Sequence, residues 1–189
     1  MSLPMLTLTT CADLSEAERQ QAAVLAAEAM PILYDPVGPQ AVPMLAAEFL
    51  LPDGELGQAV AIVGEQVDGL VAAYPATDYA DRQRNSLHHA LGNLDRAGSG
   101  HLIAALRDLS GEVPSEGLDG DYIARFTVRS ALRGSGTADR LMETFVVARP
   151  LVTLHVRADN GRAISFYRRH GFEERSRSRS YLLMQRGQG

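Results

Sequence analysis

The chain has 189 residues, which is enough for one globular domain with a sizeable core. Hydrophobic residues make up 46% and charged residues 22% of the sequence, a composition typical of a folded protein and not of a disordered tail. A single cysteine, Cys11, excludes an internal disulfide and a cysteine-based zinc site. All 18 basic residues are arginines, which also excludes a Walker A lysine, a pyridoxal Schiff base and a lysine nucleophile.

The net charge of −5 is unevenly distributed along the chain. Residues 1–120 hold 5 arginines and 17 acidic residues, whereas residues 121–189 hold 13 arginines and 6 acidic residues. This asymmetry predicts that the C-terminal third faces an anionic ligand and that the acidic part attracts a cation. The alternative is that the two parts only compensate each other and keep the protein soluble. We find no apolar run near ~18 residues and no signal-peptide pattern, and therefore expect a cytoplasmic protein without a membrane partner.

The first 75 residues alternate between helix and strand patterns. Residues 5–10 alternate apolar and polar side chains, which predicts a half-buried strand. A capping box at Ser15 then opens an alanine-rich helix that ends before Pro31. A second helix is predicted over 40–51, and two apolar runs within 59–74 predict a hairpin.

Residues 79–120 differ from the rest of the chain, because they hold polar clusters, a Gly-Ser-Gly break and turn residues around one helical segment. We predict that they form a helical insertion within a single domain spanning 1–189, since about 45 residues are too few for a core of their own. The adjacent pair His88 and His89 would point about 100° apart on a helix, so we predict no metal site there.

The patterning is clearest after residue 121. A strand over 122–128 is followed by a helix over 137–148, a buried strand over 151–156 and a helix over 160–170, with further strands from Phe172 onward. Strand–helix–strand–helix–strand order predicts a mixed α/β (α+β) fold.

The loop between the first of these strands and its helix is a candidate anion site. Consecutive backbone N–H groups at a helix N-terminus bind phosphate, and glycines let the phosphate approach the backbone closely. The loop residues are Arg133, Gly134, Ser135, Gly136, Thr137 and Ala138. A dinucleotide fingerprint fits less well, because Asp139 replaces its third glycine. A glycine-rich turn without a ligand is the other alternative.

A second motif follows about twenty residues later, between residues 154 and 172. Its characteristic residues are Asn160, Ala163, Phe166, Tyr167, Gly171 and Phe172. With the loop before it, read as Arg133-x-x-Gly136-x-Ala138, this stretch resembles the GNAT superfamily of acyl-CoA-dependent N-acetyltransferases. The resemblance covers residues 122 to about 175, whereas the first 78 residues match only in the order of their elements.

The resemblance implies a fold and a cofactor site. The fold is a mixed, mostly antiparallel sheet flanked by helices, in which two central strands splay apart and hold the pantetheine arm of acetyl-CoA between them. Val128 then lies where backbone groups bind that arm, residues 133–138 lie where amides hold the diphosphate, and Asn160 lies at a position that contacts the cofactor. Asn160 is alternatively only a helix cap.

The resemblance also implies catalytic residues. Tyr167 matches the general acid that protonates the departing thiolate; the alternative is a tyrosine that only packs in the core. Tyr122 stands where many members have a glutamate, with Asp121 beside it, which leaves the general base open. His155 lies in Leu-His-Val-Arg, which is similar to the Leu-Glu-Val-Arg of protein N-terminal acetyltransferases, and a neutral imidazole can accept a proton near pH 7. A purely structural histidine is the alternative.

The sequence therefore predicts an acetyl-CoA-dependent N-acetyltransferase that acts by direct attack of a primary amine, carried by a cationic small molecule or a peptide, without a metal. The first alternative is a non-catalytic acyl-CoA-binding relative. The second is an RNA-binding module that uses the Arg-Ser repeat at 175–180, which we discount in favour of an exposed edge strand with no nucleic-acid partner.

Overall fold

A computed structural model describes residues 7–110, 113–114 and 117–187 of the chain. Its seven strands are β1 (Thr7–Thr10), β2 (Val60–Val63), β3 (Val67–Pro75), β4 (Asp121–Val128), β5 (Val152–Arg157), β6 (Glu173–Arg177) and β7 (Tyr181–Arg186). Its seven helices are α1 (Glu16–Ala29), α2 (Pro31–Tyr34), α3 (Ala41–Glu48), α4 (Tyr79–Asn93), α5 (Arg96–Ser110), α6 (Thr137–Val146) and α7 (Gly161–Arg169).

The strands form one sheet in the order β1-β2-β3-β4-β5-β7-β6. Every neighbouring pair is antiparallel except β4 and β5, which run parallel. A mixed, mostly antiparallel sheet flanked by helices is the fold class that the sequence predicted, and the prediction is confirmed.

The parallel pair of strands separates after three residue pairs. Pairing between β4 and β5 ends at Ile123 and Leu154, although β4 continues to Val128 and β5 to Arg157. On its other edge β4 stays paired with β3 as far as Val128 opposite Gly69. The edge of β4 that faces β5 therefore has no strand partner beyond Ile123 among the described residues.

Each face of the sheet is covered by its own hydrophobic core. One core packs the N-terminal helices and α4–α5 on the sheet, around the fully buried Leu45 and Phe49. The other packs α6 and α7 on the opposite face, around Met142 and Phe172. Residues 79–110 belong to the first core, because Leu94 and Leu102 are buried in it.

The helix boundaries follow local signals in the sequence. At Ser15 the capping box is present, since the Ser15 side chain accepts from the Glu18 amide and the Glu18 side chain accepts from the Ser15 amide. The helix predicted over 40–51 corresponds to α3, which is shorter than predicted and spans only Ala41–Glu48. A 3-10 turn with two prolines precedes it at Asp35–Gln40. Residues 5 and 6 of the predicted first strand, and part of the predicted turn at 111–120, lie outside the described residues. No helix in the described part of the chain is long and apolar enough to cross a membrane.

Candidate functional site

The loop after β4 is shaped by two glycines with left-handed backbone conformations. Gly134 and Gly136 both have φ of +87°, which side chains other than glycine rarely adopt. A Cβ built on either glycine would meet no atom within 4 Å, so the space beside the loop is open. Gly136 also caps the first turn of α6. The backbone thus bends as a phosphate-binding loop would, with room beside it.

The same loop presents unpaired backbone donors. The amides of Gly134, Gly136 and Ala138 have no acceptor among the residues the structure describes, and that of Thr137 reaches only the Ser135 hydroxyl at 3.4 Å. These donors lie at the positive end of the α6 dipole. Arg133 beside them is exposed and forms no ion pair within the described chain. The residues present therefore fit a diphosphate.

Two hydroxyls hold the loop in shape. The Ser135 hydroxyl lies 2.7 Å from the Leu132 carbonyl oxygen and 2.9 Å from the Thr137 hydroxyl. Thr137 itself is buried at the start of α6. Ser135 and Thr137 thus stabilise the turn that exposes the neighbouring amides.

Asn160 is a helix cap in this structure. Its side-chain oxygen accepts from the Ala163 amide at 3.1 Å, which satisfies one of the free donors of α7. The residue is exposed, so its side-chain NH₂ group remains open to solvent or to a ligand.

Tyr167 lies on the buried face of α7, against the free stretch of β4. Its ring centroid is 6.3 Å from that of Phe126, which lies beyond the last β4–β5 pair, and 5.6 Å from that of Phe172. Burial raises the pKa of the Tyr167 hydroxyl above its ordinary value. No hydrogen bond to that hydroxyl is found within the described residues. The Tyr167 oxygen is also not among the fully buried atoms that lack a partner, so the hydroxyl is open to solvent or to a ligand.

Both ring nitrogens of His155 are engaged. Nε2 lies 2.6 Å from the Pro114 carbonyl oxygen, and Nδ1 lies 3.1 Å from the Tyr122 hydroxyl. A carbonyl oxygen can only accept, so Nε2 carries the hydrogen and Nδ1 accepts from Tyr122. Burial lowers the pKa of His155, although the bond to Pro114 opposes that shift. At neutral pH the ring is therefore neutral, with its basic nitrogen directed at Tyr122.

A cavity of about 550 Å³ lies on the sheet face that carries α2 to α5. Ala124 and His155, the first residues beyond the last β4–β5 pair, both line it. Tyr122 and Tyr181 line it from the sheet, while α4 and α5 supply the facing wall. The cavity thus reaches the point where the two strands part.

Three charged side chains with little exposure to solvent line this cavity. Glu55 accepts hydrogen bonds from the Tyr74 hydroxyl at 3.1 Å and from Gln83 Nε2 at 2.8 Å. Arg125 donates to the Tyr34 hydroxyl at 3.0 Å, and its nearest carboxylate oxygen, on Glu55, is 3.8 Å away.

Glu48 is the third of these charges. Its carboxylate accepts from the Ser86 hydroxyl at 2.5 Å, and burial, reinforced by the charge of Glu55, raises its pKa to about 7. Sequence patterns did not indicate this charged group, because Glu48, Glu55 and Arg125 are separated in the chain and match no motif. Tyr122 was noted only as a departure from the GNAT pattern.

The other candidates named from the sequence lie elsewhere. Asp121 pairs with Arg149 at 3.3 Å and does not line the cavity. On α4, His88 is exposed and His89 Nε2 lies 3.4 Å from the Met44 carbonyl oxygen. Among the described residues, no three metal-binding side chains form a group that could hold an ion.

The Arg-Ser repeat forms the edge strand β6 and the turn after it. Arg177 pairs with Glu174 at 2.8 Å, and Arg175 bonds to Gln185 on the neighbouring strand. Within the repeat at 175–180 the arginines are exposed and the serines less exposed, as on a strand with one face in solvent.

Comparison with solved structures shows that this fold recurs in acetyltransferases. An N-acetyltransferase from Staphylococcus aureus Mu50 is 14% identical with a TM-score of 0.65, over 95% of this chain and 98% of that one. A protein described as an acetyltransferase is 18% identical with a TM-score of 0.62, over 96% and 98% of the two chains. The PaiA N-acetyltransferase from Thermoplasma acidophilum, solved with coenzyme A, is 11% identical with a TM-score of 0.55, over 97% and 99%.

At these identities the structures show the class of fold only, and a sequence match covers part of the chain. Residues 98–174, which include the loop and the second motif, match the model of the acetyltransferase (GNAT) domain. No curated protein matches the sequence. The chain is therefore similar to the GNAT acetyltransferase domain over residues 98–174, and its fold is the one found in these acetyltransferases.

Proposed function

We propose that the protein is an N-acetyltransferase that moves the acetyl group of acetyl-CoA to a primary amine bound in the cavity. The observation that carries the proposal is the separation of β4 and β5 after Ile123 and Leu154. Beyond this point Ala124 and His155 line the cavity. β4 runs on to Val128, and a 3-10 turn at Ser130–Leu132 then leads into the loop with the unpaired amides. A donor held by the loop would therefore meet an acceptor held by the cavity.

The proposed cosubstrate site uses residues already described. The amides of residues 134–138 would hold the diphosphate, Arg133 would add a positive charge, and the unpaired edge of β4 up to Val128 would hold the pantetheine arm. The open side-chain NH₂ group of Asn160 is available for a further contact in addition to its role as a cap. Acetyl-CoA, when bound, supplies a thioester whose acetyl carbon accepts the amine.

We propose that Tyr122 and His155 remove the proton of the amine together. The Tyr122 oxygen would receive that proton while its own hydrogen passes to His155 Nδ1, 3.1 Å away. The imidazole ends with a proton on each nitrogen, and its Nε2–H keeps its bond to Pro114. Direct contact between His155 and the amine is not needed, because Nδ1 is already occupied by the tyrosine.

Tyr167 is the proposed acid. Burial raises the pKa of its hydroxyl, so the group keeps its proton at neutral pH. Its lack of a partner within the described residues leaves that proton available to the sulfur that departs when the amide bond forms. Tyr122 and Tyr167 would thus act from the two faces of the sheet, as base relay and acid.

The helices over 79–110 are proposed to serve acceptor binding, because Tyr79 and Gln83 of α4 and Leu106 of α5 line the cavity. We retain a primary amine, on a small molecule or a peptide, as the acceptor class. We also retain the cytoplasm as the proposed location, and the whole chain as a single domain.

Two measurements test the proposed function. Calorimetry with acetyl-CoA tests the cosubstrate site, and thiol release in the presence of a panel of primary amines tests transfer. We expect both binding and amine-dependent release. Binding without release for every amine would favour a non-catalytic acyl-CoA-binding relative. Absence of binding together with salt-dependent RNA retention would favour the RNA-binding alternative.

A further inference from the structure

We propose that the acceptor is a primary monoamine with an apolar body and no carboxylate, held with its amino group towards β4 and β5 and its apolar part against α5. This inference rests on the proposed function and specifies its substrate class. It is carried by the division of the cavity into a polar end at the sheet and an apolar end at the helices.

One face of α5 forms a continuous part of the apolar end. Leu102, Leu106 and Leu109 line the cavity at spacings of four and three residues, which places them on the same side of the helix. The other apolar lining residues of the helical region are Met30, Leu33, Met44, Leu87 and Ala90. No charged group faces the cavity from α5 among the described residues. A hydrocarbon chain or ring is the ligand that such a wall stabilises.

Above pH 7, where Glu48 is ionised, the polar end carries an excess of negative charge. Two carboxylates, the buried Glu48 and the largely buried Glu55, lie at this end of the cavity, and Arg125 is the one buried guanidinium among its described lining residues. Arg84 also borders the cavity, but its guanidinium is largely exposed and pairs with Asp81 at 2.9 Å. One ammonium group would balance this end, whereas a carboxylate on the acceptor would meet two carboxylates and only one guanidinium.

The same arrangement disfavours polycations. In a diamine held by one amino group at the sheet, the second ammonium would lie against the leucines of α5, where none of the described lining residues is a carboxylate. A volume of about 550 Å³ is sufficient for a six-carbon or phenyl-bearing amine. The overall acidity of residues 1–120 predicts a cationic acceptor. The lining of the cavity further indicates that this acceptor carries only one positive charge.

The test is a calorimetric titration of the full-length protein at pH 8 with amines that differ by one feature at a time. From propylamine to hexylamine we expect affinity to rise about threefold to fourfold per methylene. We expect 1,6-diaminohexane to bind at least tenfold more weakly than hexylamine, and phenylalanine at least tenfold more weakly than 2-phenylethylamine. A flat series, or a diamine that binds as tightly as hexylamine, would overturn the inference.

Variants on α5 locate the binding. Leu106→Asp should weaken hexylamine at least tenfold and narrow the gap to the diamine, and the milder Leu106→Ser should shift both values in the same direction. Ile103→Asp is the matched control, because Ile103 lies on α5, is 41% exposed and does not line the cavity. Equal effects of Leu106→Asp and Ile103→Asp, with melting temperatures unchanged, would refute the assignment.

The titrations are run with and without saturating coenzyme A, so that two failures can be told apart. If coenzyme A does not bind, the proposed function fails, and the amine series in the free protein still tests the cavity. If coenzyme A binds and thiol is released with diamines in preference to monoamines, the function stands and the substrate class is wrong.

Discussion

The Tyr122 hydroxyl lies 3.1 Å from Nδ1 of His155, and this contact joins β4 to β5 at the level where their backbone pairing ends. Tyr122 and Thr153 are opposite each other in the register, so His155 lies two residues further along β5. The contact fixes one tautomer of the histidine, because Nε2 must donate to Pro114. Tyr122 and His155, which both line the cavity, therefore lie next to the point where the two strands separate.

This contact predicts an acidic limb in the pH profile of turnover. His155 must be neutral to accept a proton, and burial lowers its pKa below its ordinary value of 6.5. Activity should therefore be retained at pH 6.5 and fall as the pH drops through the lowered pKa. His155→Ala should reduce kcat by about 100-fold or more and abolish this limb, with acetyl-CoA affinity unchanged within twofold.

Tyr122→Phe tests whether the proton passes through the tyrosine. If it does, this variant should show the same loss of kcat and of the acidic limb as His155→Ala, although the imidazole is intact. Tyr181→Phe is the control, since Tyr181 lines the same cavity from β7. A Tyr122→Phe variant with a normal pH profile would mean that His155 takes the proton without the tyrosine or has a structural role only.

Tyr167→Phe should affect the opposite limb. The variant loses an acid whose pKa burial holds above its ordinary value of 10, so the alkaline limb that it removes lies above pH 10. At pH 8 we expect kcat to fall about 100-fold, with the acidic limb of His155 intact. Unchanged turnover in the phenylalanine variant would assign Tyr167 to core packing against Phe126 and Phe172.

Gly136→Val should prevent binding of the cosubstrate. The new side chain would project into the open space beside the loop and would strain a backbone at φ +87°. We expect acetyl-CoA affinity, measured by calorimetry, to fall at least tenfold. Gly38→Val is the control for strain alone, because Gly38 has φ of +70°, also with no atom within 4 Å, and lies away from the loop. Equal affinities in the two variants would contradict the assignment of the loop.

The sequence predicted the elements around the cosubstrate loop well, because each of them is signalled locally. Gly136 and Asn160 are residues that commonly precede a helix, and they are the N-caps of α6 and α7. Tyr167 then lies on α7, at a fixed number of residues after Asn160. The cavity was not predictable in the same way. Its charges lie on α3, on the segment after it and on β4, and only the tertiary packing brings Glu48, Glu55 and Arg125 together.

The insertion shows a second limit of local patterns. Polar clusters and glycines predicted an insertion over residues 79–120, without indicating that Ala90, Leu94 and Leu102 are buried in the same core as the N-terminal helices. A shortened chain would therefore expose that core, and point changes such as Leu106→Asp are the appropriate test of its role. Burial of a few residues within a mostly polar helix is a property of packing that composition does not reveal.

The buried carboxyl of Glu48 should make the folded state less stable at high pH. Its pKa is about 7 in the folded protein and 4.5 in its ordinary environment. Between these two values the folded state binds more protons than the unfolded state, so stability falls as the pH rises from 4.5 through 7. A difference of this size corresponds to about 3 kcal/mol of unfolding free energy lost by pH 8.

Glu48→Gln removes the titrating group and keeps an oxygen that can accept from the Ser86 hydroxyl, now 2.5 Å from the carboxylate. We measure the free energy of unfolding by urea at pH 5 and at pH 8. The wild type should lose stability between these values, and Glu48→Gln should be free of this loss, which is about 3 kcal/mol. Glu28→Gln, at an exposed site on α1, should leave the wild-type difference unchanged. If Glu48→Gln shows the same pH dependence as the wild type, then Glu48 is ionised throughout this range, and the negative charge of the cavity is already complete at pH 5.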